Sequence, residues 1–314
     1  MISVVIPLYN KAHTIERTLG SVLTQTFKEF EVIIVNDGST DNGVEVIKNF
    51  TNDYRVRIIN QENQGVSVTR NRGVAEAKYE YIAFLDGDDE WISGYLQSVI
   101  NVITKFPTAG MICTAGFVYG GDKMCSRIAK KYNNKVTLIN FFENPHVFVH
   151  TSATVVKKTA FYKTQGFPAG MKNNEDYACF FSIAMISDVV YNGCPLSIYW
   201  GNIPGQATSE KNMDSHVINR HNLCYANWVK SGKQNRTFLI FMKYEIRHQI
   251  LGYLKNKNAT ALNYLMDNLS NEIKRHFSSF EWLLYKKWCT LSITYIYLTK
   301  IIWRTHGYPV VNYK

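Results

Sequence analysis

The chain of 314 residues is 46% hydrophobic, enough to bury the core of one large domain or of one domain with an appendage. Its six cysteines are scattered without a CxxC pair, which excludes a cysteine-ligated metal site and predicts reduced thiols in a cytoplasmic protein. The net charge of +10 is uneven, because residues 1–214 hold 20 Lys+Arg and 21 Asp+Glu whereas residues 215–314 hold 15 and 4.

Strand-like and helix-compatible segments alternate in the first part of the chain. The predicted strands cover Ile2–Asn10, Val32–Val35, Val56–Asn60 and Tyr81–Leu85, and the predicted helices cover about Thr14–Thr24, Asn42–Phe50 and a segment that opens over Asn63–Gly73. This alternation predicts a parallel, doubly wound sheet with right-handed crossovers. Met1 leads directly into the first strand without a basic segment or a cleavage site, so no signal peptide is expected.

An acidic turn, Asp86-Gly87-Asp88-Asp89, follows the fourth predicted strand. Three carboxylates this close together repel one another, and a divalent cation with oxygen ligands relieves that repulsion. Because ligands of open α/β sheets bind beyond the carboxyl ends of the strands, Asp86 and Asp88 are predicted to form a metal–diphosphate site. The alternative is a solvated Asp-Gly turn. Asp37 follows the second strand at the same edge, beside helix N-termini suited to phosphates.

Five short motifs resemble, in order and spacing, those of the family 2 glycosyltransferases with the GT-A fold. They are Val5-Ile6-Pro7-Leu8-Tyr9-Asn10, Val35-Asn36-Asp37-Gly38-Ser39-Thr40-Asp41, Asn63-Gln64-Gly65 with Arg70-Asn71-Arg72-Gly73, Phe84-Leu85-Asp86-Gly87-Asp88-Asp89, and Gly166-Phe167-Pro168 followed by Glu175-Asp176. The resemblance covers about residues 1–200. It implies an inverting enzyme of bacterial polysaccharide biosynthesis, with a Rossmann-like α/β fold: a doubly wound, mostly parallel sheet with a C-terminal helical appendage.

The resemblance also implies a site for a nucleotide-sugar, with a UDP-sugar as the expected donor. Asp37 would hydrogen-bond the base, and Arg70 would reach the nucleotide or its phosphates. Asp88 would ligate Mn²⁺ or Mg²⁺ directly, and Asp86 would contact the ribose, or the metal through water. The residues expected to bind the nucleotide-sugar are Pro7, Tyr9, Asn10, Asp37, Gly65, Arg70, Asp86, Gly87 and Asp88. The alternatives are a helix-cap or turn role for Asp37 and a surface position for Arg70.

The acid pair Glu175-Asp176 is the expected source of the catalytic base. A carboxylate can take the proton of an acceptor hydroxyl, and attack opposite the leaving group inverts the anomeric carbon. By resemblance Asp176 is the first candidate and Glu175 the second. The alternative is that both acids favour the dipole of a helix that begins there. Many relatives have Gly where Asn174 stands and an arginine about six residues after the pair, which this chain lacks.

Three further segments carry structural expectations. Asp89 is expected to cap a helix that begins near Trp91. His150, on a predicted strand over Val147–Val156, could face the acceptor, although a lone histidine is more often structural. Residues Trp200–Ser209 are expected to form a flexible loop that closes over the donor.

The chain is expected to divide into a catalytic domain, 1–214, and a basic, aromatic-rich helical region, 215–314. The first would comprise a nucleotide-binding half, 1–90, and an acceptor half, 91–214. Within residues 282–303 the uncharged run is too short to span a bilayer, and its Trp, Tyr and flanking Lys predict contact with an anionic membrane surface. The alternative is a helical subdomain whose aromatic face packs on the catalytic domain. No nucleic-acid motif is present, so no nucleic-acid partner is expected.

The expected function is metal-dependent transfer of a sugar to a hydroxyl of a glycan or a lipid-linked saccharide. The absence of a Gln-x-x-Arg-Trp motif favours addition of one sugar or a few. A non-catalytic sugar-nucleotide-binding or scaffold protein remains the alternative from another class. A sugar-nucleotidyltransferase is disfavoured, because the first strand runs into Pro7–Lys11 without a glycine-rich phosphate loop.

Overall fold

The computed structural model describes residues 1–120, 123–201, 203, 214–233 and 235–305. The chain divides into two compact units. The first comprises Met1–Ile139 and His146–Ser209, and the second comprises Asn140–Pro145 and Glu210–Lys314.

A ten-stranded sheet organises the described part of the first unit. Its strands are β1 Ile2–Leu8, β2 Phe30–Asp37, β3 Val56–Gln61, β4 Tyr81–Phe84, β5 Glu90–Trp91, β6 Met111–Gly120, β7 Lys123–Arg127, β8 Val136–Ile139, β9 Thr154–Lys157 and β10 Val189–Trp200. The helices up to the end of this unit are α1 Ile15–Leu23, α2 Gly43–Phe50, α3 Val66–Glu76, α4 Tyr95–Lys105, α5 Pro145–Phe148, α6 Lys158–Phe161 and α7 Glu175–Ile186.

The strand order is β3-β2-β1-β4-β9-β6-β10-β5, with β7 paired to β6 and β8 paired to β10. The first four strands all pair in parallel. Strand β9 is antiparallel to both of its neighbours, and β10 runs parallel to β6. The predicted α/β fold is therefore confirmed, with an all-parallel first half and a mixed second half. The carboxyl ends of β1, β2 and β4 meet at one edge of the sheet.

Burial explains why the first strands have continuous apolar sequences rather than alternating ones. Every residue of β2 is buried, as are all residues of β1 except Pro7. A strand covered by helices on both faces needs apolar side chains on both, and β-branched residues suit it. The helices α1, α2 and α4 contribute one buried face each to the same core.

Helix α3 packs closely against β1, and Gly73 permits this contact because it has no side chain. A Cβ atom built on Gly73 would lie 2.3 Å from Cγ1 of Val5. We expect Gly73→Ala to lower the free energy of unfolding by about 1–3 kcal/mol, because the added methyl group overpacks this contact. Urea denaturation measures the effect.

The matched control for this prediction is Gly252→Ala. Gly252 lies inside a later helix, and an added Cβ would meet nothing within 4 Å. Alanine there should stabilise the protein by about 0.5–1 kcal/mol, because glycine is a poor helix former. Equal effects at both positions would show that the close contact with Val5 is unimportant.

The second unit is helical in its described residues. Its helices are α8 Asp214–Lys230, α9 Arg236–Lys255, α10 Ala259–Asn268, α11 Asn271–Lys274, α12 Ser279–Lys287 and α13 Cys289–Thr305. Four of them have an N-cap residue whose side chain accepts a backbone N–H of the first turn: Asn235, Asn258, Ser270 and Ser278. Phe142, from the short segment that belongs to this unit, packs on Phe238 and Phe241 of α9. Within the described ranges, no helix is both long enough and apolar enough to cross a membrane.

Candidate functional site

The acidic turn lies directly after β4, and the segment that follows β1 fixes its backbone. The hydroxyl of Thr14 donates a hydrogen bond to the carbonyl of Gly87 at 2.7 Å. The Nη2 group of Arg17 donates to the carbonyl of Asp88, also at 2.7 Å. These bonds fix the backbone of the turn that carries Asp86 and Asp88.

Asp88 forms an ion pair with Lys11, which the motifs did not single out. The Nζ atom of Lys11 lies 2.6 Å from Oδ2 of Asp88, and the two side chains are only 14% and 10% exposed. A carboxylate this buried needs a positive partner, and Lys11 provides one. The signal was present in the sequence, since Lys11 directly follows the predicted Tyr9-Asn10 segment at the same sheet edge.

Arg70 joins the acidic turn to the acid pair. Its Nη2 atom lies 2.6 Å from Oδ1 of Asp86, and its Nη1 atom lies 2.8 Å from Oε1 of Glu175. Burial disfavours the charge of Arg70, but the carboxylates of Asp86 and Glu175 outweigh burial and raise the pKa of the guanidinium. Arg70 is 4% exposed, so the alternative of a surface arginine is wrong.

The two acids of the pair have different environments at the start of α7. Glu175 is buried against Arg70; burial and the charge of Asp176 raise the pKa of Glu175, against the opposing effect of Arg70. Asp176 is half-buried. Its Oδ2 atom accepts a hydrogen bond from the hydroxyl of Thr151 at 3.3 Å, and its Oδ1 atom accepts the N–H of Tyr177 at 2.7 Å. Asp176 is thus the more accessible carboxylate.

Asp89 corrects a sequence expectation, because it does not cap a helix. Residues Glu90–Trp91 form β5 against β10, and α4 begins only at Tyr95. Asp89 is fully buried and accepts hydrogen bonds from the hydroxyl of Ser152 at 2.5 Å and the N–H of Trp200 at 3.2 Å. Burial, followed by the charges of the other two aspartates of the turn, raises the pKa of Asp89 well above its usual range.

The segment around His150 is not the strand that the sequence predicts. Helix α5 ends at Phe148, a single helical turn covers Thr151–Ala153, and β9 begins at Thr154. The carbonyl of His150 accepts both the N–H of Ala153 and the hydroxyl of Thr154, which bends the chain. Burial, followed by the charge of Arg127, lowers the pKa of His150 to about 3.

This turn brings Thr151 and Ser152 to the two carboxylate clusters. Thr151 bonds Asp176, while the Oγ atom of Ser152 bonds Asp89 and accepts the N–H of Asp86 at 3.1 Å. Ser152 is itself fully buried. Sequence reasoning missed both residues, because they lie far along the chain from the acidic turn and resemble ordinary polar turn residues.

Asp37 organises the loop before α3. Its Oδ1 atom accepts from the Nε2 group of Gln61 at 2.8 Å and from the N–H of Gln64 at 2.9 Å, and its Oδ2 atom accepts the N–H of Gly65 at 2.9 Å. Gly65 has φ of +87°, a conformation that favours glycine. The role of Asp37 toward a nucleobase stays a prediction, and the observed role is to fix the loop at the start of α3.

The remaining predicted binding residues occupy the end of β1 and the acidic turn. Pro7 pairs with Val35 in the sheet, and its carbonyl lies close to Gly87, where an added Cβ would come within 3.2 Å of it. Tyr9 is 47% exposed and is available to a ligand. Asn10 has φ of +52°, and its Oδ1 atom accepts the N–H of Thr40 at 2.8 Å.

The predicted loop over Trp200–Ser209 begins at the last residue of β10. Residues 202 and 204–209 lie outside the described part of the chain.

The acidic turn fits a cation that arrives together with a diphosphate. Among the described residues, no group of three or more His, Cys, Asp or Glu side chains is placed to hold a metal ion. Asp86 and Asp88 supply hard oxygen ligands, and Mg²⁺-like cations need only one or two carboxylates when phosphates provide the rest. Both carboxylates already have positive partners in Arg70 and Lys11, so a metal would share or replace these contacts.

The acidic turn and Asp37 lie at the carboxyl ends of parallel strands, and the buried Arg70 is bonded to the turn. Open α/β sheets bind their ligands at this edge, so the chain is an α/β protein with a ligand site there. The chain belongs to glycosyl transferase family 2, because the model of that family matches residues 3–164, just over half of the chain. The family predicted from the motifs and its GT-A fold are thereby confirmed.

Several curated proteins are similar to parts of the chain. Chondroitin synthase of Pasteurella multocida is 31% identical over 220 residues, which cover 70% of this chain and 22% of that protein. The uncharacterized glycosyltransferase RP339 of Rickettsia prowazekii is 25% identical over 196 residues, 61% of each protein. The uncharacterized glycosyltransferase YibD of Escherichia coli is 49% identical over 90 residues, 28% of this chain and 26% of that protein. The chain therefore spans less than two thirds of the length of each of these relatives.

Two solved structures show the same fold. Residues 1–349 of Staphylococcus aureus TarS in complex with UDP-GlcNAc match with a TM-score of 0.71 and 17% identity, covering 100% of this chain and 95% of that one. The mannosyltransferase PcManGT of Pyrobaculum calidifontis, in complex with GDP-Man and Mn²⁺, matches with a TM-score of 0.54 and 17% identity, covering 96% and 87%.

Proposed function

We propose that this protein is an inverting glycosyltransferase that moves a sugar from a nucleotide-sugar to a hydroxyl of a saccharide acceptor. The observation that carries the proposal is the bridge from Asp86 through Arg70 to Glu175. It brings the acidic turn, expected to hold the donor diphosphate, together with the acid pair expected to supply the base. Family membership and the relatives named as glycosyltransferases support the same activity.

Asp176 would act as the base. It is half-buried rather than sealed, and its neighbour Glu175 is occupied by Arg70. The Thr151 hydroxyl and the N–H of Tyr177 bind one oxygen each, which orients the carboxylate. An oriented carboxylate can accept the proton of an acceptor hydroxyl as that oxygen attacks the sugar. Attack from the side opposite the nucleotide inverts the anomeric carbon.

We infer that the donor is a UDP-sugar and that Mn²⁺ or Mg²⁺ assists its binding. The TarS structure with UDP-GlcNAc supports a uridine nucleotide, and the PcManGT structure with Mn²⁺ supports a divalent cation. Asp88 and Asp86 would hold the cation, and Asp37, Tyr9 and Arg70 would lie on the nucleotide side. The bound cation would neutralise charge on the departing nucleoside diphosphate.

The acceptor would be a glycan or a lipid-linked saccharide of a surface polysaccharide. The chondroitin synthase relative supports a glycan product. Contact of residues 282–303 with the inner face of the cell membrane would bring the enzyme to a lipid-linked acceptor from the cytoplasm. The basic balance of residues 215–314 supports this location, because inner-leaflet lipids are anionic.

The first test is nucleoside diphosphate release from UDP-, GDP- and dTDP-sugars, with and without Mn²⁺. Slow hydrolysis of the donor reports the donor half of the reaction without a known acceptor. We expect Mn²⁺-dependent release of UDP from one UDP-sugar. Binding without release, both in water and with saccharide acceptors, would instead favour the non-catalytic sugar-nucleotide-binding protein. Absence of binding to every donor would overturn the proposed site.

A further inference from the structure

Large apolar side chains line the solvent-facing side of the last two helices, α12 and α13. On α13, Leu291, Leu298 and Ile301 recur at helical spacing and are 57%, 54% and 55% exposed. Phe280 and Leu283 of α12, and Trp288 between the two helices, are also exposed apolar residues, at 58%, 42% and 45%. Together we call these residues the apolar stripe: Phe280, Leu283, Trp288, Leu291, Leu298 and Ile301.

The apolar stripe is not part of the core of the helical unit. The opposite face of α13 already provides that core, because Ile296 and Ser292 are fully buried. Glu281 of α12 links these helices, because it accepts hydrogen bonds from Arg247 of α9 at 2.7 Å and from the hydroxyl of Tyr295 of α13. The fold of this unit therefore leaves the stripe for another occupant.

The exposed charged residues of the segment that carries the stripe, 279–301, have one sign. Lys286 and Lys287 are exposed beside it. Glu281 is the single acid among residues 279–301, and it is 4% exposed and paired with Arg247. Residues 215–314 as a whole carry 15 Lys+Arg against 4 Asp+Glu. A partner of the stripe must combine an apolar interior with negative surface charge.

We propose that the apolar stripe docks on the surface of an anionic lipid bilayer. The aliphatic side chains and Trp288 would enter the boundary between headgroups and acyl chains, and Lys286 and Lys287 would meet lipid phosphates. Aliphatic side chains distinguish this surface from a nucleic-acid site, where aromatic side chains stack on bases. The idea that this contact brings the enzyme to a lipid-linked acceptor rests on the proposed function. Binding of the apolar stripe to lipid is tested without it.

The test is flotation of the full chain with vesicles, in the absence of any sugar nucleotide. One set contains equal parts of phosphatidylglycerol and phosphatidylcholine, and the other contains phosphatidylcholine alone. We expect binding to the anionic vesicles only, weakened by salt. Lys286→Gln with Lys287→Gln should lower the affinity about 25-fold, at about fivefold for each lysine near the surface. Leu291→Glu with Leu298→Glu should abolish binding.

Matched controls change the same properties elsewhere. Lys48→Gln with Lys163→Gln removes two exposed lysines of the first unit, and Tyr54→Glu places an acid at a side chain that is 95% exposed. Both should bind vesicles like the unaltered chain. Equal binding to neutral vesicles, or equal losses in the controls, would overturn the proposal. The proposal would also be overturned if the chain did not bind vesicles and instead formed a concentration-dependent dimer, seen by light scattering, that Leu291→Glu with Leu298→Glu disrupts. Donor hydrolysis by the same variants is a separate readout, so failure of either proposal is recognised independently.

Discussion

Replacing Asp88 by alanine is expected to abolish the Mn²⁺-dependent part of UDP binding. Asp88 is the residue expected to ligate the cation directly, and of the two expected metal ligands the altered turn would keep only Asp86, which is bound to Arg70. Loss of a direct ligand should exceed the 10- to 100-fold effect, in rough terms, of losing an outer-shell partner. Calorimetric titration of UDP with and without Mn²⁺ measures it. An unchanged dependence on Mn²⁺ would remove Asp88 from the proposed site.

The ion pair with Lys11 supplies the control for this variant. Asp88→Ala leaves a nearly buried ammonium without its carboxylate, which alone destabilises the protein. Lys11→Met removes the ammonium but keeps the carboxylate, so it should retain Mn²⁺-dependent UDP binding. Comparing the two variants, together with their midpoints of thermal unfolding, separates loss of the cation ligand from loss of the ion pair.

Replacing Asp176 by asparagine is expected to lower transfer about 10²- to 10⁴-fold, the usual contribution of a general base. Asparagine keeps the shape of the side chain, and its single amide oxygen can still accept the N–H of Tyr177, while its NH₂ group can donate to the Thr151 hydroxyl. It cannot take a proton from the acceptor. The dissociation constant of the donor should stay the same, because Asp176 is assigned to the acceptor side. The measurement is nucleoside diphosphate release with a saccharide acceptor present, beside calorimetric titration of the donor.

Two companion variants sharpen the assignment of the base. Thr151→Val removes one hydrogen bond to the carboxylate but keeps the carboxylate itself, so it should cost only about tenfold, the low end for a bond to a charged group, because this bond is long at 3.3 Å. Glu175→Gln should weaken the Arg70 ion pair and lower stability more than it lowers transfer. Wild-type transfer by Asp176→Asn, with loss of transfer by Glu175→Gln, would exchange the roles of the two acids.

The order of motifs predicted the first half of the fold because strand and helix alternate there with strong local signals. The acidic turn and Asp37 lie at the ends of buried strands, so parallel pairing alone places them along one edge. Arg70 lies on α3, the helix that follows β3. The predicted helix at Glu175-Asp176 is also present as α7. These features depend on local sequence and on sheet topology, and the alternation of strands and helices predicts both.

The missed features depend on contacts between residues far apart in the chain. Nothing in the local sequence shows that Ser152 bonds Asp89 or that Thr151 bonds Asp176. Asp89 resembles a helix cap by composition, but pairing of Glu90–Trp91 with β10 keeps the chain extended and turns Asp89 inward. His150 sits in an apolar segment that resembles a strand, but the turn at Thr151–Ala153 interrupts it.

The position of β10 limits how far the first unit can be shortened. This strand pairs with β6, β5 and β8, although it is the last strand along the described part of the chain. A fragment ending before Glu175 would uncover the hydrogen-bonding edge of β6 from Met111 to Tyr119, and bare edges recruit other chains into aggregates. The same cut would leave Arg70 with one carboxylate instead of two. A minimal piece for expression must therefore extend through Trp200.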